Sequence, residues 1–566
     1  MAAARPPSIE MDRQYKSAGD QAEESKRPVQ VEVSQETKSE ENPLSSQKSS
    51  ASDEPEYPGS AQVALIMICI LCAIFIMSLD RTIISTAIPH ITDEFNSLDD
   101  IGWYGSAFMV TACCFQLLWG KVYSFYPAKY VFLALVLLFE VGSVICAAAP
   151  NSIAFILGRA IAGMGSAGIM SGAIVLMMSA VPLHKRPLYN GFFSAVLGIS
   201  SVVGPLLGGA FTSNVSWRWC FYINLPIGGA AMLVILLALK PMPAMYPGLT
   251  LRQKLAKLDL LAELFLFSAL VCLLLSLQWG GSTYAWSNWR IVLLFVAFGV
   301  CLITWIIIEV RTPATATIQP RIIGNRTVVA AMWFMFCLSS TFLMLLYYLP
   351  IWLQAIKNRT AVQSGIDTLP LVLSLVAGST LSGQLVGRLG YYTPFTMASS
   401  CLMPLGAGLI STWRVDTSVG IWIGYQIVLG FGIGLGMQHA AIAVQTVLQP
   451  RDIPVAVSLV FFWQQLGGAI FVSVGENVFG QKLIAGLTRV IDDFDPETIV
   501  NTGATDLRRI VPAKDLHAVL VEYNAALHWV FIVGTIMAAL SALGAFAFEW
   551  KSVKGKQRGP SNEDGE

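Results

Sequence analysis

The stretch GFFSAVLGISSVVGPLLGG, residues 191–209, decides the fold of this chain. A helix needs about 20 consecutive apolar residues to cross the hydrocarbon of a bilayer, and this stretch carries no charged side chain. Pro205 removes a backbone hydrogen bond and bends a helix, while Gly204, Gly208 and Gly209 let another helix approach closely. The pattern predicts a bent membrane-spanning helix, packed either at an interface that moves or in a static contact.

The same apolar character recurs along the chain. Of its 566 residues, 55% are hydrophobic and 13% are charged, whereas soluble domains carry about 25% charged residues. So little polar surface predicts an all-α integral membrane protein with 14 transmembrane helices. The predicted spans lie near 62–87, 102–121, 129–148, 152–179, 190–211, 221–239, 259–279, 290–309, 328–353, 367–387, 395–412, 419–445, 455–479 and 527–548.

The ends of the chain and its short loops predict the orientation. Residues 1–60 are rich in Ser and charged residues and poor in large apolar ones, which predicts a disordered tail. Thirteen Lys and Arg of the short loops fall on the side of the N-terminus and five on the other. The N-terminal tail and the tail 551–566 are therefore predicted to be cytoplasmic, and the long loop 480–526 to lie outside. The formal net charge of zero argues against a nucleic-acid partner.

An internal duplication sets the domain organisation. Glycines of span 4, Gly163, Gly165 and Gly168, correspond to a Gly-rich run in span 12, and the loops after spans 2 and 10 are also alike. The offset of eight spans predicts a six-helix bundle at 61–240, two inserted helices with their preceding loop at 241–310, and a second six-helix bundle at 311–550. Two such halves facing a central cavity form a transporter architecture.

Ionisable side chains in apolar spans are the next signal. A charge in the bilayer centre costs about 3 kcal/mol or more, so each such group needs a partner, water or a proton. The candidates for proton coupling are Asp80, Arg81, Arg159, His439 and Glu476. For His439, a hydrogen-bonded core histidine is the stronger alternative.

Two further acidic residues, Glu140 and Glu263, are weaker candidates for coupling. Glu140 could face a polar neighbour or a boundary of its helix, and Glu263 belongs to the inserted pair of helices.

Polar and aromatic side chains within the spans suit a cavity for an organic ligand, since such pockets combine apolar walls with a few polar anchors. Ordinary packing and hydrogen bonding between helices is the alternative for each of them. The cavity candidates are Gln116, Tyr347, Gln354, Trp463 and Gln464. The sequons at Asn214 and Asn358 are predicted to face outside and are candidate glycosylation sites, although such short motifs also occur by chance.

Several chemistries are absent from the sequence. The ten Cys form no CxxC pair and no Cys/His group, so no metal site is predicted. No P-loop is present and no nucleophile–base pair stands out, so the sequence predicts neither a cofactor nor an enzyme.

Several motifs carry a resemblance to one family. Gly204-Pro205-x-x-Gly208-Gly209, preceded by Gly191, resembles the antiporter motif of the major facilitator superfamily. The other motifs resemble its fourteen-span drug:proton antiporter family, and the run after Gly120 is similar to the fungal toxin and multidrug exporters. These motifs are Leu79-Asp80-Arg81-Thr82-Ile83-Ile84 with Ala87-Ile88-Pro89, Trp217-Arg218-Trp219-Cys220-Phe221-Tyr222-Ile223-Asn224-Leu225-Pro226-Ile227-Gly228, and Arg159 with Gly163, Gly165 and Gly168.

The resemblance implies roles for particular residues. It places spans 1 and 4 in the same half, which makes Asp80 and Arg159 the leading pair for proton exchange, with a static ion pair as the alternative. The loop after span 2 and its counterpart after span 10 are the implied gating loops, with Gly120, Lys121, Lys129, Gly383 and Arg388. The superfamily's Asp and Arg latch is replaced by Ser124 and Phe125, so helix-end contacts are expected in its place.

The function implied is proton-coupled efflux of a toxin, drug or secondary metabolite by alternating access. The partners are the small organic substrate, protons and the lipid bilayer, one chain suffices for function, and the expected location is the plasma membrane, with the vacuolar membrane as the alternative. The residues alone leave three rivals: a proton-coupled importer of siderophores or amino acids, a channel, and a non-transporting receptor.

Overall fold

The computed structural model describes residues 59–95, 97, 100–239, 246, 248, 250–281, 284–313, 315–489, 511 and 515–554. The predicted tails at 1–58 and 555–566 and much of the loop 480–526 lie outside the described residues. Within the described ranges, 14 helical segments are long and apolar enough to cross a membrane, which confirms the predicted number. The chain is helical almost throughout these ranges, because helices satisfy every backbone hydrogen bond within themselves in lipid.

The first half and the inserted segment contain the first ten helices. The first half comprises α1 Ser60–Phe95, α2 Ile101–Phe125, α3 Ala128–Ala147, α4 Ser152–Ala180, α5 Arg186–Asn214, α6 Trp219–Tyr222 and α7 Asn224–Ala238. The inserted segment comprises α8 Leu251–Leu258, α9 Leu260–Trp279 and α10 Trp289–Arg311.

Within the described residues, the second half contains nine helices. They are α11 Pro320–Ile323, α12 Arg326–Ala355, α13 Ala361–Asp367, α14 Leu369–Leu389, α15 Thr393–Ser411, α16 Val419–Gly436, α17 His439–Val447, α18 Ile453–Leu487 and α19 Leu516–Ala547.

Each half packs mainly within itself. In the first half α4 packs against α2 and α3, and α1 against α5 and α7; in the second, α12 packs against α18 and α19, and α16 against α14 and α15. The inserted helices α9 and α10 pack against each other, and α9 contacts α2, whereas α10 is exposed along most of its length. The architecture is therefore two six-helix bundles with two extra helices between them in the chain, as predicted. The residue bounds assigned to the halves stay a prediction.

The bounds of several helices differ from the predicted spans; α1, for example, continues to Phe95 rather than ending near 87. The last helix begins at Leu516 rather than near 527, and α18 continues to Leu487. The extensions of α18 and α19 keep each other as packing partners, since a Cβ on Gly486 would collide with the side chain of Glu522. A helix needs contacts but not lipid to continue, so it runs past the apolar window. Span 12 is interrupted between Gly436 and His439, where α16 ends and α17 begins.

The two halves meet along two pairs of helices, α5 with α14 and α2 with α18. Glycines make these contacts close. A Cβ on Gly383 would collide with the backbone carbonyl of Pro187, and one on Gly120 would collide with Ser458. These positions lie at the predicted cytoplasmic ends of their helices. We call this contact zone the cytoplasmic seam.

Candidate functional site

A buried ion pair lies at the centre of the first half. Arg159 Nη1 on α4 lies 2.5 Å from Asp80 Oδ2 on α1, and the two residues are 1% and 0% exposed. The guanidinium also donates through Nε to the carbonyl of Tyr104 at 3.0 Å and stacks 4.6 Å from the ring centre of Phe108. Both charges are thus fully compensated by short-range contacts, as a desolvated pair requires.

Asn224 extends this pair toward α3. It is the first residue of α7, and its side-chain amide donates to Asp80 Oδ1 at 3.4 Å and to Ser143 Oγ at 3.2 Å. Asp80, Arg159, Asn224 and Ser143 form what we call the polar centre of the first half. It joins one side chain from each of four helices, and a proton on Asp80 changes its direct contacts with Arg159 on α4 and Asn224 on α7.

The neighbouring arginine connects the two halves. Arg81 follows Asp80 in α1, and its Nη1 donates to Gln465 Oε1 on α18 at 3.1 Å. The adjacent positions 80 and 81 therefore point one charged side chain into the first half and the other across to the second half. The structure brings Asp80, Arg81 and Arg159 into one region, as the resemblance implies; their role in coupling stays a prediction.

His439 and Glu476, the other coupling candidates, lie elsewhere in the second half. His439 is 2% exposed at the start of α17, its ring is 5.8 Å from that of Phe395, and neither ring nitrogen has a partner among the described residues. Glu476 is exposed on α18, one residue after Gly475, which packs against the ring of Tyr348. Neither side chain belongs to the polar centre.

The five predicted cavity residues differ in burial and in contacts. Gln116 is buried and donates to Ser171 Oγ at 2.6 Å, and Gln354 donates to Ser364 Oγ at 2.9 Å. Trp463 packs edge-on against Phe336, Gln464 is half-buried beside it, and Tyr347 is 57% exposed. The described part of the chain has cavities of about 400 and about 360 Å³, and none of the five lines either. Their role in binding cargo stays a prediction.

The predicted antiporter motif faces two partners. Gly191 lies against the backbone of Ser379 and Thr380 on α14, so it belongs to the cytoplasmic seam. Gly204 and Gly208 instead lie against Thr82 and other side chains of α1, inside the same half, and Pro205 lies within α5 as expected.

Gly209 has no neighbour within 4 Å of an added Cβ. Only part of the Gly-Pro run therefore makes close contacts, and the expectation that the whole run packs tightly is wrong at Gly209. That residue faces away from both α1 and α14.

The predicted gating lysines contact helix ends. Lys129 Nζ donates to the carbonyls of Leu236 and Leu239 at the end of α7, at 2.7 and 2.6 Å. Lys121 Nζ donates to the carbonyls of Leu258 and Thr315, at 3.2 and 2.9 Å, both in segments that flank the inserted helices.

The second-half gating loop makes different contacts. Arg388 is exposed, and its carbonyl accepts a hydrogen bond from Lys554 Nζ at 2.5 Å.

Glu263, a weaker candidate for coupling because it belongs to the inserted pair of helices, lies near Lys121. Its carboxylate also lies 3.5 Å from Thr317 Oγ1. Lys121 lines the cavity of about 400 Å³ together with Lys257, Arg321 and Asp452. The inserted helices thus contact a predicted gating residue, which spacing along the chain could not indicate.

The two candidate glycosylation sites are both exposed. Asn214 ends α5 and its amide donates to the carbonyl of Ala210 at 2.9 Å, and Asn358 has a left-handed φ of 55°. Their modification stays a prediction.

At the predicted outer side, Glu94 clasps three segments. Trp217 Nε1 donates to it at 2.6 Å and Arg218 Nη2 at 2.7 Å, while Arg218 also holds the carbonyls of Ala147 and Ala149. Glu94 lies beyond the apolar span Ser60–Ile84. The hydrogen bond from Trp217, and then the contact with Arg218, lower the pKa of Glu94.

A lowered carboxylate pKa means that the clasp stabilises the fold above the usual carboxyl range and is lost as the pH falls through the folded pKa. Glu94→Gln is expected to lower the melting temperature slightly at pH 7, by the equivalent of under about 1 kcal/mol because the pair is partly exposed. Melting curves of both proteins in detergent, from pH 7 to about pH 3, should converge in acid. A difference that grows as the pH falls would contradict this account.

Sequence reasoning gave no role to Asn224, Ser143 or Tyr104. Asn224 lies inside the motif after span 5, and that was the one available signal. The sequence does not indicate which residue forms a hydrogen bond with a hydroxyl or a backbone carbonyl in an apolar span.

Residues 70–472 match the family model of the Major Facilitator Superfamily. The chain is 48% identical over 501 residues to an MFS-type efflux pump, MFS1, of Arthroderma benhamiae, covering 88% of this chain and 94% of that protein. It is 48% identical over 505 residues to the rubrofusarin-specific efflux pump aurT of Gibberella zeae (89% and 92% covered), and 46% identical over 506 residues to the efflux pump aflT of Aspergillus parasiticus (89% and 98% covered).

Two solved structures share the fold at low identity. The human organic anion transporter MFSD10 aligns with a TM-score of 0.55 at 13% identity, covering 84% of this chain and 99% of its own. The proton:xylose symporter XylE aligns with a TM-score of 0.56 at 12% identity, covering 88% and 99%. The family model, the relatives and the fold agree, and the chain belongs to the Major Facilitator Superfamily.

Proposed function

We propose that this chain is a proton-coupled efflux transporter of small organic molecules and works by alternating access. The observation that carries the proposal is the fully buried Asp80–Arg159 pair beside the Arg81–Gln465 link across the halves. A carboxylate that meets an arginine in one state and loses it in another binds and releases a proton. Such a pair is suited to convert proton movement into a change of contacts between helices.

The coupling can be followed through the contacts. Protonation of Asp80 removes the charge that balances Arg159, and the hydrogen bond from Asn224 to the Asp80 carboxylate weakens with it. Arg81 is the next residue on α1, so a small rotation of this helix also changes the hydrogen bond from Arg81 to Gln465 on α18. Rocking of the halves about these contacts exposes a central site first to one side and then to the other.

Export, rather than import, is supported by the relatives, since three of them at 46–48% identity are named efflux pumps. One of these is named as specific for rubrofusarin, and we propose a toxin, drug or secondary metabolite as the cargo of this chain. We place the protein in the plasma membrane and expect a single chain to suffice, since one chain contains both halves.

Transport into inside-out vesicles tests the proposal. Purified protein is reconstituted in liposomes, an acid interior is imposed, and uptake of rubrofusarin and a panel of fungal toxins and secondary metabolites is measured with and without the gradient. We expect uptake of at least one compound that requires the acid interior and collapses with a protonophore. Uptake only down the cargo's own gradient would contradict proton coupling, and a steady ohmic current would indicate a channel.

A further inference from the structure

Glu140 is a buried carboxyl that the polar centre does not include. It lies on α3, is 6% exposed, and both of its carboxylate oxygens lack a hydrogen-bond partner among the described residues. An ionised carboxylate without a partner is strongly disfavoured at membrane depth. The group therefore requires a proton or a bound cation.

Three helices place Glu140 one turn from the polar centre. Glu140 and Ser143 are three residues apart on α3. A Cβ on Gly228 would collide with the Glu140 carboxylate and with Ile76, so these three residues lie together. Gly228 is four residues after Asn224 on α7. Ile76 is four residues before Asp80 on α1. One helical turn is about 5.4 Å, so the carboxyl is one step from the Asp80–Asn224–Ser143 chain.

A groove connects Glu140 to the outer face of the helix pair α3 and α7. Glu140 lines this groove of about 360 Å³ with Leu137, Val141, Val144, Leu225 and Gly229, among others. Leu137 is 54% exposed and Val141 44%, on a surface that lipid covers in the membrane. Glu140 is thus the single ionisable group of a groove whose other described lining is apolar, and the groove lies on the lipid-facing side of these helices.

We propose that Glu140 is a second proton-binding carboxyl of the transporter, reached through this lipid-facing groove and sensitive to the charge of Asp80. The proposal rests on the proposed function only for the use of that proton. The site also has an unpaired acceptor close by, since Asn224 Oδ1 lacks a partner among the described side chains. A protonated Glu140 supplies a donor in the same region. Ser143, which accepts a hydrogen bond from Asn224, lies three residues after Glu140 on α3.

Asp80 is the charged group that acts on Glu140 from a neighbouring helix. Helix α7 carries no titratable side chain. The other titratable or charged groups on α3 and on the helices packed against it are Lys129, Tyr130 and Cys146 on α3, Tyr104, Cys113, Cys114, Lys121 and Tyr123 on α2, Arg159 on α4, and Cys220 and Tyr222 on α6.

Labelling with dicyclohexylcarbodiimide tests the proposal without any cargo. This apolar reagent reacts with protonated carboxyls, adding across its C=N bond and taking up the acid proton, and the adduct is mapped by peptide mass spectrometry. We expect one adduct on Glu140 in the wild-type protein, formed faster at pH 5 than at pH 9 and absent from Glu140→Gln. A water-soluble carbodiimide is expected to leave Glu140 unlabelled and to react with exposed carboxyls such as Glu94.

Asp80→Asn then tests the link between the two carboxyls. Removing a nearby negative charge weakens proton binding at Glu140, so labelling of Glu140 at neutral pH should be weaker in Asp80→Asn than in the wild-type protein. The wild-type adduct map decides the matter even if Glu140→Gln does not fold. No adduct on Glu140 in acid, or labelling that does not vary with pH, overturns the proposal. Either result leaves proton-coupled export standing, because that depends on the vesicle assay.

Discussion

Asp80→Asn is expected to reduce pH-driven transport to the level of empty vesicles. The variant removes the carboxylate that balances Arg159, and both side chains are buried. Leaving one member of a buried pair uncompensated also costs about 3–5 kcal/mol of stability. Transport into acid-loaded vesicles and the melting temperature in detergent are the two measurements.

A double variant separates the two effects. Asp80→Asn with Arg159→Met removes both charges, and replacing a buried pair by uncharged groups of similar size is often neutral for stability. We expect the double variant to recover most of the melting temperature but none of the pH-driven transport. Glu94→Gln, on the same helix, is the matched control and should transport normally, because its partner Arg218 is at the surface. Transport by Asp80→Asn that still responds to the pH gradient would refute the assignment.

Gly383→Ala is expected to shift the protein away from the state with a closed cytoplasmic seam. The added methyl would meet the Pro187 carbonyl, which is backbone and cannot rotate away. Overpacking of this kind costs about 1–3 kcal/mol, which corresponds to about a fivefold to 150-fold change in the equilibrium between the two states. Transport should slow accordingly, because every cycle must return through the closed seam.

A thiol cross-link reports the closed state directly. A Cβ on Gly387 would lie 3.4 Å from the backbone carbonyl of His184, so a short thiol-reactive cross-linker should join cysteines at positions 184 and 387 when the seam is closed. We expect slower formation of this cross-link in the Gly383→Ala background, measured by mass spectrometry of the linked peptides. Gly209→Ala is the control, because an added Cβ there has no neighbour within 4 Å. Unchanged cross-linking in Gly383→Ala would show that the seam tolerates the methyl.

Much of the fold could be predicted because the bilayer requires apolar side chains in each segment that crosses it. A run of about 20 apolar residues is needed wherever the chain crosses, so each span is marked in its own stretch of sequence. The ends were less predictable. α19 starts at Leu516 and α18 continues to Leu487, because the two helices still pack against each other near these ends. That contact joins segments that are separated in the chain.

The candidate site was predictable only where a motif supplied the pairing. Asp80 and Arg159 were paired because the resemblance placed spans 1 and 4 in one half, and the structure joins them at 2.5 Å. Glu140 and Glu263 are weaker candidates by sequence. In the structure, Glu140 lies one helical turn from the polar centre and Glu263 lies near Lys121. Composition marks a buried charge as costly but does not name its neighbour.

By itself, the sequence determined that this protein crosses a membrane 14 times, that similar glycine patterns occur in its two halves, and that it resembles the fourteen-span antiporters. Those properties depend on hydropathy and short motifs, which are local. Only the tertiary structure decided that Asn224 bridges Asp80 to Ser143, that Gly383 rather than Gly209 lies in a tight contact, and that Glu140 opens to a groove. Each of these depends on which faces of distant helices meet, and in lipid that is set by close packing between helices rather than by hydrophobicity.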